Sequence, residues 1–478
     1  MHVTSTALAL GLGLLTAPVT AQTPDRFSPE QLRSDFDHLY TTLQSAQPGL
    51  YSATPQSVLD QRHAEMMGDI TGPMSAFEAT VYFQTFLSEI RIAHTRIDFP
   101  VGDWFAWRDN GGGAVPFDIR IRDGRVLVES AMPLENGLQR GDEIIAINGT
   151  PNAIWLNRMT RHLSADTPDF AYTLLESYFP AVVWLEHSEA DSLAVTVIRG
   201  DAPEITINVP LLSRDEMAAL ADAPVQSFQL PLFDTRMIGE DIGYLRPGPF
   251  YNTDDGGNTW DPTSYVARVD AAFGDFIEAD AGAVILDLRD NPGGNNTFSD
   301  PIIAWFADQD WRFASEFRLL VSEATTASNA ARLADGGGEV SAQYAELFAN
   351  ARNGDIILYD FPEAKPREGE RFEGEVYVLI NRYSYSNAVT TAALIQDYGF
   401  GTIVGEVTAD MSTTYGAMEY FSLPTTGIRV GYPKAHIIRP NGDDHPHPVT
   451  PDLELDLPPL RGEHDAALEQ LVDHIRAG

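Results

Sequence analysis

Three stretches of the chain place hydroxyl, glycine and imidazole groups where acyl chemistry needs them. Asn381-Arg-Tyr-Ser-Tyr-Ser-Asn-Ala388 lies between an apolar run, Val376–Ile380, and a helical stretch over about 386–398. Ser386 then stands at or near the helix N-terminus, with its hydroxyl at the positive end of the dipole and the Asn387 N–H free. That suits a nucleophile whose tetrahedral intermediate carries negative charge. Serine is also a preferred N-cap, in which case its hydroxyl only satisfies a backbone N–H. Asp287-Leu-Arg-Asp-Asn-Pro-Gly-Gly294 follows a second apolar strand, Ala283–Leu288. A glycine pair there lets the backbone fold tightly and aim N–H groups at an anion or developing oxyanion; an ordinary strand-to-helix turn has the same composition. His94, in Arg91-Ile-Ala-His94-Thr-Arg96, is a lone histidine that matters only if a nucleophile needs a base. His445 and His447, two apart in Asn441–Pro448, point to one side of an extended segment and with Asp443 or Asp444 offer metal ligands. A complete site needs a third protein ligand that the sequence does not place, and Pro446 and Pro448 mark a rigid exposed loop.

The surrounding elements fall into three blocks. Residues 27–98 read as helices: Ser28-Pro29-Glu30 is a start signal, and Leu32, Phe36, Leu39, Tyr40 and Leu43 keep a helical period until Gln47-Pro48-Gly49. Further helices cover about 55–68 and Ser75 to about Ile90. Residues 110–212 change to a two-residue period. Phe117, Ile119 and Ile121 alternate with polar residues, Asp123-Gly124 turns the chain, and Val126 and Val128 return. A helical, aromatic stretch over 150–188 interrupts this β block. Residues 230–478 alternate strand and helix, with apolar strands at Ala283–Leu288, Val376–Ile380 and Thr402–Gly405, the pattern of a mostly parallel sheet covered on both faces. The Ala-, Gly- and Ser-rich stretch 323–356 reads as a helical excursion.

Composition narrows the chemistry. The 478 residues carry 69 acidic and 31 basic side chains, a formal net charge of −38, and no cysteine. Such a chain repels phosphate backbones and anionic lipid, so neither nucleic acid nor a membrane surface is an expected partner. Thiolate metal sites, disulfides and a cysteine nucleophile are excluded together. Only two lysines occur, Lys365 and Lys434. Residues 1–21 contain a nine-residue apolar run, Ala7–Leu15, followed by Val19-Thr20-Ala21, the pattern of a secretory signal peptide, although the first residues lack Lys and Arg. The expected location is periplasmic or secreted, with no stable membrane insertion; the oligomeric state is unknown from sequence.

Taken together, Asp287–Gly294, Ser384–Asp397 and Gly405-Glu-Val-Thr408 resemble the C-terminal processing (tail-specific) serine peptidase family, including its tricorn-core and interphotoreceptor retinoid-binding protein branches. Gln47–Tyr51 and Leu87–Thr95 are similar to that family's helical N-terminal region, Gly137–Gly149 to the second half of its PDZ domain, and Val449-Thr-Pro-Asp452 to its Val-x-Pro-Asp element. The resemblance implies an α/β multidomain protein: a helical domain over 27–98, a PDZ-like β domain over 110–212, and a crotonase-like (Clp-protease-like) α/β core over 230–478. It also implies a serine-type peptidase acting on peptides or unfolded proteins, near their C-termini in the tail-specific case, without a cofactor. By position, Ser386 matches the nucleophile, and Gly293 and the Asn387 N–H match the oxyanion hole. The Ser–Lys branch keeps its lysine in a Gly-Glu-x-Thr-x-Gly-Lys-Gly run; here Met411 stands in that place, and neither lysine matches. The tricorn-like branch uses a histidine from the helical region, which His94 matches, with Ala93 where that branch has serine. Its glutamate position is His445 here, and the neighbouring Asp444 is the acid offered in its stead. The rival expectation is a non-catalytic relative that binds a peptide or a small hydrophobic ligand. A metal-dependent hydrolase built on His445 and His447 is a weaker third.

Overall fold

A computed structural model describes residues 26–220, 228–254 and 257–477; the signal-peptide reading over 1–21 lies outside these residues. Ser28 opens the first helix, Pro29–Ala46, with a reciprocal capping box to Gln31, as the Ser-Pro start predicts. Helices Gln56–Asp69 and Ala76–Ile90 follow. Leu32, Phe36, Leu39 and Leu43 of the first helix bury one stripe, packed with Phe83, Phe86 and Leu87 of the third. The same cluster takes in Leu423, Ile428, Val430 and Tyr432 from far along the chain, so the helices rest on a later β-sheet.

The β block holds strands Phe117–Arg122, Arg125–Ala131, Glu143–Ile147, Ser192–Ile198 and Ile205–Pro210, hydrogen-bonded in that spatial order, with the short Thr150–Pro151 on Glu143–Ile147. Helices Asn152–Thr160 and Pro168–His187 cover the sheet, and Trp155 meets Phe179 edge-on in its core.

The last block contains two sheets. In the first, the spatial order is Leu453–Glu454, Thr402–Gly405, Glu375–Ile380, Ala283–Asp287, Ile242–Arg246, Asp234–Ile238. Every neighbouring pair is parallel except the last. Helices Thr263–Glu278, Asn296–Ile303 and Asn387–Tyr398 pack on one face, and Ala466–Ala477 on the other. Strand Ala283–Asp287 is buried along its whole length, which explains its unbroken apolar run. In the second sheet, Thr414–Ser422 and Arg429–Ile438 form a long antiparallel hairpin, and Arg429–Ile438 also pairs with Arg96–Ile97 and Glu316–Leu320. The 323–356 stretch is helical as expected, in two pieces, Glu323–Ala334 and Glu339–Ala349. No described helix is long and apolar enough to cross a membrane.

Candidate active site

Strand Glu375–Ile380 ends beside strand Ala283–Asp287, and the chain turns through 381–385 into helix Asn387–Tyr398. Ser386 occupies the N-cap position, but its side chain makes no capping hydrogen bond and its backbone lies at φ 53° and ψ −122°. A non-glycine residue held there costs roughly 1–3 kcal/mol and persists only when its surroundings over-determine it. Here they do. The Ser386 N–H donates to Asp410 Oδ2 at 2.6 Å, and the Tyr385 N–H to the Asn291 carbonyl at 2.9 Å. Ser384 Oγ donates to the Leu288 carbonyl at 2.8 Å and accepts from the Asn381 N–H at 3.2 Å. The turn is thus fastened to the C-terminal end of the neighbouring strand, and the serine hydroxyl is left unspent.

The glycine turn lies against it. Gly293 has φ 78°, and a Cβ built on it would stand 2.9 Å from Ser386 Cβ, 2.7 Å from the Asn387 nitrogen and 2.5 Å from the Tyr385 carbonyl oxygen. Only glycine lets the two backbones approach so closely. The Asn387 N–H, at the head of the helix, has no hydrogen-bond acceptor among the described residues, whereas the Gly293 N–H donates to Asn291 Oδ1 at 2.9 Å.

His94 arrives from the helical block. Helix Ala76–Ile90 stops at Arg91 in the left-handed conformation, and Arg96–Ile97 then joins the second sheet opposite Gly431 and Val430. The His94 ring is buried and stacked on Tyr385, the residue before Ser386, with centroids 5.6 Å apart and planes 15° off parallel. Its Nε2 is 3.4 Å from the Tyr385 hydroxyl, which Arg96 Nη1 also reaches at 3.4 Å. Nδ1 has no hydrogen-bond partner among the described residues; the Tyr415 main chain faces the ring without meeting hydrogen-bond geometry. Burial, and then the Arg96 charge, hold the imidazole down at about 3, so it is neutral near pH 7.

The other sequence candidates lie elsewhere. Asp444 Oδ1 is 3.4 Å from His445 Nδ1, and no described hydrogen bond joins it to His94. Asp443 contacts both His445 and His447, at 3.2 and 3.0 Å. Asp443, Asp444 and His445 have ligand atoms within 4.8 Å of one another, but on an exposed loop and bonded among themselves. Lys434 is buried in an ion pair with Glu419 Oε1 at 2.5 Å and stands over the Tyr344 ring; Lys365 is exposed, 3.9 Å from Asp310. Neither lysine has a described contact with the Ser386 turn.

Two residues at the site have no counterpart among the sequence candidates. Asp410 holds the Ser386 amide, and Asp166 Oδ2 accepts the Ala93 N–H at 3.2 Å, next to His94. The available signal for Asp410 was its place among small residues in Gly405–Ser412, one position before Met411. Asp166 carried none, since Ser-Ala-Asp-Thr-Pro reads as a helix lead-in.

Comparisons with known proteins follow the same outline. Residues 241–455 match the model described as Peptidase family S41, and residues 125–211 match that of the Bacteroidetes S41-family peptidase N-terminal domain. Among solved structures, mature CPAF complexed with lactacystin superposes with a TM-score of 0.64 at 15% identity, covering 94% of this chain and 97% of that one. Mature CPAF alone gives 0.61 at 15% identity, over 89% and 93%. The photosystem II D1 C-terminal processing protease gives 0.44 at 16% identity, over 90% and 95%. No curated protein matches the chain. The two family matches lie on the parallel-sheet core that carries Ser386 and on the β block before it, so the chain belongs to peptidase family S41 and is a serine-type peptidase.

Proposed function

We propose that Ser386 is the nucleophile, His94 its general base, and the Gly293 and Asn387 N–H groups the oxyanion donors of a peptidase acting on proteins or peptides. The observation that carries this is the Ser386 backbone: a serine at a helix N-cap that does not cap, held at φ 53° against a glycine turn. In the reaction, Ser386 Oγ attacks the peptide carbonyl and its proton passes to His94 Nε2. The imidazolium returns that proton to the leaving amine, and water then hydrolyses the acyl-enzyme by the reverse sequence. Two local adjustments belong to this reading. The Tyr385 hydroxyl gives way at Nε2, and the Gly293 N–H turns from Asn291 Oδ1 toward the oxyanion. Asp444 is left outside the proposal, because its carboxylate contacts His445. The segment over 1–21 supports export to the periplasm or beyond, and the β block over 110–212 is the PDZ-like candidate for holding a peptide terminus or gating the site.

The second reading is a binding protein without catalysis. The peptidase family match does not favour it; Met411 at the lysine position and the Tyr385 hydroxyl on His94 Nε2 are the features it would have to rest on. Fluorophosphonate labelling and cleavage of an unfolded protein separate the two. Wild type is expected to react and Ser386→Ala not to; equal behaviour sinks the nucleophile. His94→Ala abolishes turnover, Lys434→Ala does not, and EDTA has no effect. The base is tested further by pH. Since kcat/KM reports the free enzyme, an imidazole held near 3 is deprotonated throughout the neutral range, so no acid limb is expected at the ordinary histidine value. An acid limb near the ordinary histidine value in the wild-type profile would show a different His94 environment in solution.

A further inference from the structure

Three main-chain segments meet at the oxyanion donors, and one buried residue bonds to all of them. Gly248–Phe250, just beyond strand Ile242–Arg246, runs beside the glycine turn. The Phe250 N–H donates to the Gly293 carbonyl at 2.9 Å, and the Asn295 N–H to the Phe250 carbonyl at 2.8 Å. A Cβ built on Gly294 would stand 2.1 Å from that Phe250 oxygen, so no side chain fits between the two segments. Asn291 is 3% exposed. Its Nδ2 donates to the Gly248 carbonyl at 2.8 Å, its Oδ1 accepts the Gly293 N–H at 2.9 Å, and its own carbonyl accepts the Tyr385 N–H at 2.9 Å. These partners fix the orientation of the amide, because a carbonyl can only accept and an N–H can only donate. An Asx turn would account for the Oδ1 bond alone. It does not account for Nδ2 being spent on a different strand.

We infer that Asn291 is a positioning residue of the oxyanion hole: it holds the Gly293 and Asn387 N–H groups at a fixed spacing by tying both turns to the exit of strand Ile242–Arg246. The inference rests on the assignment of Ser386 and of the two donors above. Gly293 is held through the Asn291 side chain. Asn387 is held through the main chain, since the Tyr385 N–H anchors the turn that ends in Ser386. The bond to Gly248 keeps the amide in place when the Gly293 N–H exchanges Oδ1 for the oxyanion. That exchange is selective. A neutral peptide carbonyl offers the N–H no more than Oδ1 already does, whereas a developing oxyanion makes a charge-assisted bond roughly twice as strong. The donor is therefore engaged in the transition state rather than in the substrate complex, which is the condition for raising the rate. In the free protein Oδ1 keeps the same N–H from being buried without an acceptor.

Fluorophosphonate labelling of the full chain separates the limiting rate, kinact, from binding, KI. Asn291→Ala removes both side-chain bonds and is expected to lower kinact about tenfold or more, with KI within about threefold of wild type. Asn291→Asp, measured at about pH 8, keeps an acceptor for the Gly293 N–H but loses the donor to Gly248 and sets a negative charge beside the developing one. Its kinact is expected to fall below that of Asn291→Ala. Thermal unfolding is recorded for each variant, and rates refer to the folded protein. A merely structural asparagine would lower the unfolding temperature and leave kinact unchanged; that result, or a change in KI alone, overturns the inference. If neither variant folds, a crystal structure of phosphonylated wild type decides. The phosphonyl oxygen is expected within about 3.1 Å of both the Gly293 and Asn387 nitrogens, with Asn291 Nδ2 still on the Gly248 carbonyl. An amide that has left Gly248, or a Gly293 N–H still on Oδ1, overturns the inference. Wild type that does not label removes the nucleophile and the inference together. Wild type that labels, with both variants as fast, removes the inference alone.

Discussion

At the residue scale the site depends on backbone more than on side chains. Gly293→Ala places a methyl group 2.5 Å from the Tyr385 oxygen and 2.7 Å from the Asn387 nitrogen, at φ 78°. All three of the nearest atoms belong to the Ser386 turn or its neighbours, and none is the end of a flexible side chain. The substitution is expected to lower stability by about 1–3 kcal/mol and to abolish labelling of Ser386. Labelling at the wild-type rate in a folded Gly293→Ala would show that the two turns are not in contact. The sequence announced this glycine because turn chemistry is local, and it announced Ser386 through the strand–turn–helix order. It did not announce that the serine hydroxyl leaves the cap empty, since an N-capping serine and an N-cap nucleophile read alike. Asp410 was hidden for another reason. Its partner, the Ser386 amide, is 24 positions away in the chain, and no periodicity encodes a side chain that reaches across a fold.

At the scale of elements, His94 is placed by the docking of the helical block on the second sheet. Asp35, 1% exposed on helix Pro29–Ala46, accepts the Thr425 and Thr426 N–H groups at 3.0 and 2.7 Å and the Thr426 hydroxyl at 2.7 Å. These residues turn the hairpin whose second strand pairs with Arg96–Ile97, two positions after His94. Asp35→Ala leaves two N–H groups without their acceptor and is expected to cost about 3 kcal/mol, with Asp35→Asn intermediate. Urea unfolding of the three proteins checks this; a midpoint for Asp35→Ala equal to wild type would show that the turn is held by other contacts. The first helix was legible from its cap and its period. The hairpin Thr414–Ser422 and Arg429–Ile438 was not. Its second strand is buried on both faces over most of its length, so the two-residue alternation that reveals a half-exposed strand is missing, and Pro433 and Lys434 interrupt it. Lys434 is tolerated there because Glu419 on the neighbouring strand neutralises it.

Across the whole molecule, the loop before Ser386 is also gripped by the β block. Arg382 Nη1 donates to the Ile121 carbonyl at 2.7 Å, Arg122 pairs with Glu406 at 2.6 Å, and the Tyr383 hydroxyl meets both Arg120 and Glu176. Arg120, Arg122 and Arg382 thus sit at this junction, and most acidic side chains of the described residues lie outside the buried set. Those two populations respond differently to salt. The Debye length shrinks from about 10 Å at 0.1 M to about 3 Å at 1 M, which screens exposed carboxylates from one another but hardly touches buried pairs such as Arg439–Asp397 at 2.5 Å. Self-repulsion destabilises a compact state far from neutrality, so added salt should relieve it without weakening the junctions. Raising KCl from 0.05 to 0.5 M at pH 7.5 is expected to lift the unfolding temperature by about 2–4 °C. The lift should shrink near pH 5, where part of the carboxylates are protonated. KCl is the suitable salt, because strongly excluded anions stabilise any compact protein by another route. A temperature that falls with KCl would mean that exposed ion pairs outweigh repulsion, and that the charge excess is balanced locally rather than borne by the molecule as a whole.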